Sequence, residues 1–395
     1  MSDSVTGGEW MGMMQNELQC KKRVLQLNKL YYPAIGGIER TVQQVAEGLS
    51  EDVEMSVLTC AEGMHGSTEQ IHGVTVYRLP SLFRVDSLPI PIGYVRKLRK
   101  LGKKQDIVHL HMPFPIGDLA CFLSGYQGRL VLWWHSDVVR QKKMMHLYKP
   151  LMHWTLRRAD AIVVATQGHI EGSAYLKPFR EKCVIIPFGV DQGIEKAADD
   201  YIMRQSRTDE TMRLPSKKRL RFLFVGRLVY YKGCEVLLRA FCKVKNAELV
   251  LVGSGALEEE YRKFVREHQM EDRVRLLGEI PEESLYQQFA DCDVFVLPSV
   301  MRSEAFGLVQ IEAMAFGKPV INTRLSSGVP YVSQDRITGL TVRPGDADEL
   351  ADAMNWMVEH PEERREMGMQ ARKRMKQEYR METMLERIRK LYRSL

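Results

Sequence analysis

SEAFGLVQIEAMAFGKPVI, residues 303–321, opens on a carboxylate, Glu304, and carries a second, Glu312, eight positions later. Between them the chain runs through a small, turn-permissive segment, Ala305-Phe306-Gly307, and then takes on helical character. Gly317-Lys318-Pro319 stops that helix and leads into an apolar strand. A loop feeding a helix N-terminus is a ready anion site, because the first turn's N–H groups lack partners and the dipole end is positive. One carboxylate before such a helix and another about two turns inside it suit a ligand whose phosphate is flanked by polyols, as in a nucleotide sugar. Two solvated glutamates on an amphipathic helix would show the same spacing, so the rest of the chain decides.

Outward from this stretch the order is strand, loop, helix, repeated. Apolar strands are expected at 23–28, 55–59, 74–79, 107–111, 130–135, 161–165 and 183–187, with helices between several of them, the first over 38–49. A second series follows at 220–225, 248–252, 274–277, 294–297 and 339–342, with helices at 233–244, 257–267 and 283–290. From 346 onward the chain is charged and helical. This alternation is that of a parallel sheet covered by helices. Residues 191–218 are polar and aperiodic, and read as a linker with a peripheral helix. With 395 residues the chain exceeds one ordinary core. It is expected to form two doubly wound, Rossmann-like α/β domains, 21–190 and 191–374, facing a cleft at the carboxyl ends of their strands.

Composition narrows the class. Lysine and arginine outnumber acids 23 to 17 over residues 1–190, but only 34 to 33 beyond, so the basic excess belongs to the first half. The stretch from Arg96 to Lys104, RKLRKLGKK, holds six cations in nine residues. Arg140 to Arg158 holds six more, interleaved with Met144, Leu147, Leu151, Trp154 and Leu156. Basic amphipathic helices of this kind suit an anionic bilayer surface. No recognition helix, zinc finger or aromatic RNA-binding pattern supports nucleic acid as the partner. Seven irregularly spaced cysteines, without a C-x-x-C, are read as reduced, buried thiols of a cytoplasmic protein. Residues 1–20 have no basic n-region followed by an apolar core and read as a flexible leader. No apolar run is long enough to span a bilayer.

Several short motifs lie at strand ends. Gly36-Gly37 follows the first strand, where backbone N–H groups meet a phosphate without a Cβ in the way. No acidic residue ends the next strand, which argues against a dinucleotide site. Gly226-Arg227-Leu228 and Lys232-Gly233 place two cations on one βα loop, able to grip a diphosphate leaving group. There is no P-loop signature. His135-Ser136-Asp137 ends a strand, and Ser136 lacks the glycines of a nucleophile elbow. His109 and His111 share a strand face and are expected as polar residues at the cleft edge. Asp291-Cys292-Asp293 spells D-x-D but precedes its strand, at the end away from the cleft, and is set aside as a metal motif.

Taken in order, these residues resemble a large family of retaining bacterial glycosyltransferases, family 4, with the GT-B fold. The resemblance covers residues 24 to about 354. It rests on P-x-x-G-G-x-E at Pro33, D-I-V-H-L-H at Asp106, H-S-D at His135, P-F-G-V-D at Pro187 and G-R-L-x-x-x-K-G at Gly226. It continues with V-G-S-G at Val252, E-x7-E at Glu304, G-K-P-V-I at Gly317 and G-L-x-V-x-P-G-D at Gly339. Ala305 stands where the family usually has glycine, and Leu325-Ser326-Ser327-Gly328 where it usually has a double glycine.

The resemblance implies roles. Gly36, Gly37 and Gly226, with Arg227 and Lys232, hold the donor diphosphate. Glu304 contacts hydroxyls of the donor sugar, and Glu312 the ribose. Backbone groups at Phe306, Gly307 and Leu308 meet phosphate and sugar, His135 lies beside the reacting sugar, and the base sits by Glu279 and Ile280. The last helix, about 375–395, returns to the first domain. No metal or other cofactor is implied. The implied activity is transfer of a hexosyl unit, mannose before others, from a nucleoside-diphosphate sugar to a glycan or polyprenyl-diphosphate-linked acceptor in surface-polysaccharide assembly, at the cytoplasmic face of the membrane. An epimerase or phosphorylase on the same fold, or a non-catalytic nucleotide-sugar-binding protein, are the alternatives.

Overall fold

The computed structural model describes residues 21–34, 36–85, 88–137, 142–207 and 219–395. The expected leader lies outside them, as does Arg140. The first series runs β1 (Arg23–Leu27), α1 (Gly37–Gly48), β2 (Glu54–Cys60), β3 (Ser67–Ile71), β4 (Val74–Leu79), β5 (Ser81–Val85), β6 (Leu88–Pro91), α2 (Tyr94–Gly102), β7 (Ile107–Met112), α3 (Pro115–Ser124), β8 (Arg129–Trp134), α4 (Lys142–Arg158), β9 (Ala161–Val164), α5 (Gln167–Gly172) and β10 (Cys183–Ile185). Then come α6 (Gln192–Arg207), β11 (Leu220–Val225), α7 (Cys234–Phe241), β12 (Ala247–Val252), α8 (Glu258–Glu267), β13 (Val274–Leu276), α9 (Glu282–Asp291), β14 (Val294–Val296) and α10 (Leu308–Ala315). The chain ends with β15 (Val320–Thr323), α11 (Val329–Val332), β16 (Gly339–Val342), α12 (Ala347–Glu359), α13 (Pro361–Glu378) and α14 (Met381–Ser394).

One sheet has the order β10-β9-β8-β7-β1-β2-β4-β3, with β5–β6 a separate hairpin. β1 pairs in parallel with β2 and β7, and the edge pair β3–β4 is antiparallel. The other sheet, β13-β12-β11-β14-β15-β16, is parallel throughout. In its own strand count that order is 3-2-1-4-5-6, the doubly wound arrangement, and its direction reverses between β11 and β14. The strands are near-continuous apolar runs because helices cover both faces. On one face Phe222, Phe224, Leu249, Leu251, Val294, Val296 and Ile321 pack against Leu238 and Phe241 of α7 and Met354 and Met357 of α12. The chain divides into two compact units, one of residues up to 132 with 158–160 and 389–395, the other of 133–157 and 161–388. Among the described residues no helix is long and apolar enough to cross a membrane.

Three expectations are corrected. His109 and His111 are not at an edge but fully buried. Their rings stack at 4.9 Å, His111 Nε2 lies 2.8 Å from Gln26 Oε1, and His109 Nδ1 lies 2.6 Å from the Tyr392 hydroxyl. Sharing a strand face says nothing about whether that face meets solvent, and here α14 covers it. Helix α6 is not peripheral: Ile194 and Ala198 are buried, Lys376 reaches Glu195 and Asp199 at 3.0 and 2.8 Å, and Arg372 reaches Asp199 at 2.6 Å. The acids of α6 that gave it a polar reading thus serve α13. Cys242 is exposed, because it caps the end of α7, whereas Cys60, Cys121, Cys234 and Cys292 are buried. The sequence reading also missed β3, a polar edge strand, and the β5–β6 hairpin.

The last turn of α14 is fastened to the first unit. Lys22 Nζ donates to the Tyr392 carbonyl at 2.9 Å, and Arg389 pairs with Asp52 at 2.8 Å. Replacing Tyr392 by Phe takes a buried partner from His109 and is expected to cost about 1–2 kcal/mol, read as a lower midpoint in urea with the fold retained. Burial also holds two histidines neutral, with pKa pushed down to about 3 for His109 and about 4 for His169. In the unfolded chain these groups take up protons near pH 6.5, so between that pH and their native pKa values the unfolded state binds more protons. Stability is therefore full above pH 6.5 and is lost as the pH falls toward 4. The expected slope is up to about 1.4 kcal/mol per pH unit for each histidine, and melting curves from pH 7 to pH 4.5 on wild type and His169→Gln measure it.

Candidate active site

The switch point between β11 and β14 is where a doubly wound sheet opens a crevice at its carboxyl edge. Two loops flank it, 226–233 after β11 and 297–307 after β14. They are joined by backbone: Val300 N–H donates to the Tyr231 carbonyl at 2.9 Å. Gly233 makes this possible, since it has φ 74° and a Cβ there would stand 2.0 Å from the Pro298 carbonyl oxygen. Lys232 closes a short helical turn, Tyr230–Lys232, and its ammonium meets Glu304 Oε2 at 2.5 Å. Both side chains are largely shielded, 14% and 10% exposed. Ser299, fully buried, donates to the same Glu304 oxygen at 3.1 Å.

Arg227 stands on the first of these loops, exposed, and donates to the Tyr231 hydroxyl at 2.7 Å. Gly226 precedes it with φ 155°. On the second loop Phe306 turns inward, edge-on to Phe188 at 5.0 Å, so its side chain is a packing group. Gly307 is the N-cap of α10 with φ 73°, where a Cβ would come within 2.5 Å of Leu297. Leu308 begins the helix and half-buried Glu312 lies one turn in. Gly278, Glu279 and Ile280 follow β13 on the same sheet edge, with Gly253 N–H donating to the Gly278 carbonyl at 2.8 Å and Ser254 bonded to Glu279. The residues expected from the second half thus gather at one edge. Asp291 and Asp293 lie at the opposite edge: Asp293 accepts the Arg221 N–H at 2.8 Å, and Asp291 is 3.5 Å from the Arg221 guanidinium. In the first unit, Gly36 and Gly37 are the N-cap and first residue of α1.

His135, 6% exposed, follows β8. Its ring lies parallel to Trp133 at 5.6 Å and to Phe188 at 5.7 Å. This aromatic cluster reaches Phe306 through Phe188, so the imidazole and the Glu304 loop share one packing unit. Beside them lies a small cleft lined by Trp134, Asp137, His169, Arg302 and Ala305 among others. Asp137 accepts from the Trp134 indole at 3.1 Å and lies 3.6 Å from Arg302. Burial pushes its carboxyl above the usual carboxylate range.

Sequence reasoning missed the support behind Glu304. Gln310 donates to the Phe306 carbonyl at 2.9 Å, and Asn322 donates to Gln310 Oε1 at 2.9 Å and to the Val329 and Ser333 carbonyls. Thr341 bonds Asn322 in turn, and Thr323 holds the Ser299 carbonyl at 2.6 Å. All are buried. The available signal was an asparagine and a threonine ending the apolar strand VINT. A buried polar group there needs partners, which the Glu304 loop supplies to Thr323 and which Gln310 of α10, with the Val329 and Ser333 carbonyls, supplies to Asn322.

A shielded pair of this kind is fragile to one-sided loss. Lys232→Ala leaves Glu304 buried without its cation and is expected to cost about 3 kcal/mol or more, whereas Lys232→Met with Glu304→Gln costs distinctly less. Urea denaturation of the two variants measures the difference.

Comparison with known proteins agrees with this geometry. The family models described as Glycosyl transferases group 1 and Glycosyltransferase Family 4 match residues 206–374 and 35–193. The O-antigen chain mannosyltransferase C of Escherichia coli is 30% identical over 377 residues, covering 94% of this chain and 98% of that one. The D-rhamnosyltransferase WbpZ of Pseudomonas aeruginosa is 33% identical over 357 residues, covering 90% and 91%. Among solved structures, Anabaena HepE in complex with UDP superposes with a TM-score of 0.73 at 19% identity, over 94% of this chain and 100% of that one. Sucrose-phosphate synthase from Thermosynechococcus elongatus gives 0.74 at 23%, over 95% and 99%. With relatives matched over nearly their full length and the doubly wound parallel sheets described above, the chain belongs to the family 4, group 1 glycosyltransferases and has their GT-B fold.

Proposed function

We propose that this glycosyltransferase is a retaining hexosyltransferase that moves mannose, or a close relative of it, from a nucleoside-diphosphate sugar to a lipid-linked glycan in surface-polysaccharide assembly. The observation that carries the reading is the Lys232–Glu304 pair at the switch point. It offers a cation for a diphosphate and, 2.5 Å away, a carboxylate for sugar hydroxyls. The named relatives transfer mannose and D-rhamnose, hexoses that differ only at C6, which supports the sugar class. The basic first half supports work at the inner membrane surface.

In the proposed reaction the bond from the anomeric carbon to the β-phosphate oxygen breaks as an acceptor hydroxyl oxygen bonds to that carbon on the same face. The hydroxyl proton passes to the leaving phosphate. Positive charge grows on the sugar and negative charge on the phosphate. Arg227 and Lys232, with the Gly307-capped start of α10, are the groups available to hold the latter. Glu304, held in place by Lys232 and Ser299, orients hydroxyls. Glu312 serves the ribose, the turn at Glu279 and Ile280 serves the base, and His135 flanks the sugar. With two cations in place the leaving group needs no metal, and no other cofactor enters this scheme.

The test is turnover of GDP-mannose and UDP-hexoses on an isoprenoid-diphosphate glycan acceptor, with the product anomer read by NMR. Arg227→Ala and Lys232→Ala are each expected to lower kcat by about 10²–10³-fold. Wild-type rates in both variants, or an inverted anomer in the product, would refute the scheme.

A further inference from the structure

The two cations of the 226–233 loop are held in different ways. Lys232 is paired with Glu304 at 2.5 Å, largely shielded from water. Arg227 makes no ion pair among the described residues. Its guanidinium is exposed, and it donates to the Tyr231 hydroxyl at 2.7 Å. An exposed arginine otherwise samples many rotamers, and like charges on one short loop repel. Here the repulsion is close at hand: the Lys232 ammonium lies 3.8 Å from where a Cβ on Gly226 would stand, at the root of Arg227.

Tyr231 is itself well fixed. It is half-buried in the helical turn Tyr230–Lys232. Its carbonyl accepts the Val300 N–H of the neighbouring loop at 2.9 Å. Its ring stands edge-on to Tyr230, with 5.6 Å between centres, and the Lys232 ammonium lies 5.9 Å from its centre. The kind of partner matters as well. A phenol is neutral, so it accepts one guanidinium N–H and leaves the positive charge and the other N–H groups open to a ligand. A carboxylate would hold the arginine too, but would offset that charge, as Glu304 does for Lys232.

We propose that Tyr231 is a positioning residue of the diphosphate site: its hydroxyl holds the Arg227 guanidinium beside Lys232, so that both cations serve one leaving group. Without the hydroxyl the guanidinium spreads over solvent rotamers that miss the ligand. Tyr231 occupies one of the unspecified places in G-R-L-x-x-x-K-G, so the motif itself gives it no role. A tyrosine that only packs the loop would act through its ring and carbonyl, and both survive replacement by Phe. The inference rests on the reading of Arg227 and Lys232 as diphosphate ligands and adds what aims one of them.

The experiment is calorimetric titration of UDP and GDP, with UMP and GMP as controls, into wild type, Tyr231→Phe, Arg227→Ala and the double variant. Tyr231→Phe is expected to weaken diphosphate binding roughly threefold to tenfold and to leave monophosphate binding unchanged. Arg227→Ala is expected to weaken it roughly tenfold or more. The double variant should be no worse than Arg227→Ala, because the tyrosine acts through the arginine. Unchanged diphosphate affinity in Tyr231→Phe, with Arg227→Ala weakened, overturns the proposal and leaves the reading of Arg227 standing. A further loss in the double variant also overturns it, since the phenol would then be a ligand in its own right. Equal losses for mono- and diphosphate in Tyr231→Phe count against it as a general loosening of the loop. Unchanged affinity in Arg227→Ala would defeat the diphosphate role of the arginine, and this inference with it.

Discussion

The ion pair between Lys232 and Glu304 is the contact on which the rest of the site depends. It joins the two loops that flank the reversal of strand order, at the place where an open α/β sheet exposes backbone and side chains to a ligand. A charge pair this shielded from water is a poor source of stability, since desolvation offsets most of its attraction. In the proposed reaction its value lies in placement: a cation and a carboxylate are held ready before any ligand arrives, so little reorganisation is needed at the moment of reaction.

Placement in turn is maintained by groups that never face the crevice. Ser299 fixes one oxygen of Glu304, Thr323 fixes Ser299, and Asn322 with Gln310 fastens the turn that follows. Each bond is modest, but every member is buried, so losing any one strands its neighbours. The close approach at Gly233 and the left-handed cap at Gly307 let the two loops reach this arrangement without strain. The aromatic cluster of Trp133, His135, Phe188 and Phe306 stiffens the other flank.

Much of this was legible in the residues, and what was not has physical reasons. Buried parallel strands are apolar on both faces, so LRFLFV and AELVLV announced themselves, and glycines with cations at their carboxyl ends marked the loops that flank the crevice. Glu304 and Lys232 could be named, but 72 positions separate them, and nothing local says they touch. Ser299 and Asn322 were missed for the same cause: a polar residue reveals its partner only when the fold supplies it. The spacing of His109 and His111 gave their shared face but not its burial beneath Tyr392.

The central claim is that Lys232, held by Glu304, is a diphosphate-binding group. Calorimetric titration with a nucleoside diphosphate and the matching monophosphate tests it without reference to sugar or acceptor. The account predicts that wild type prefers the diphosphate by roughly tenfold or more, a charge-assisted contact's worth, and that Lys232→Met loses that preference while still binding the nucleoside. An undiminished preference for the diphosphate in Lys232→Met would contradict it.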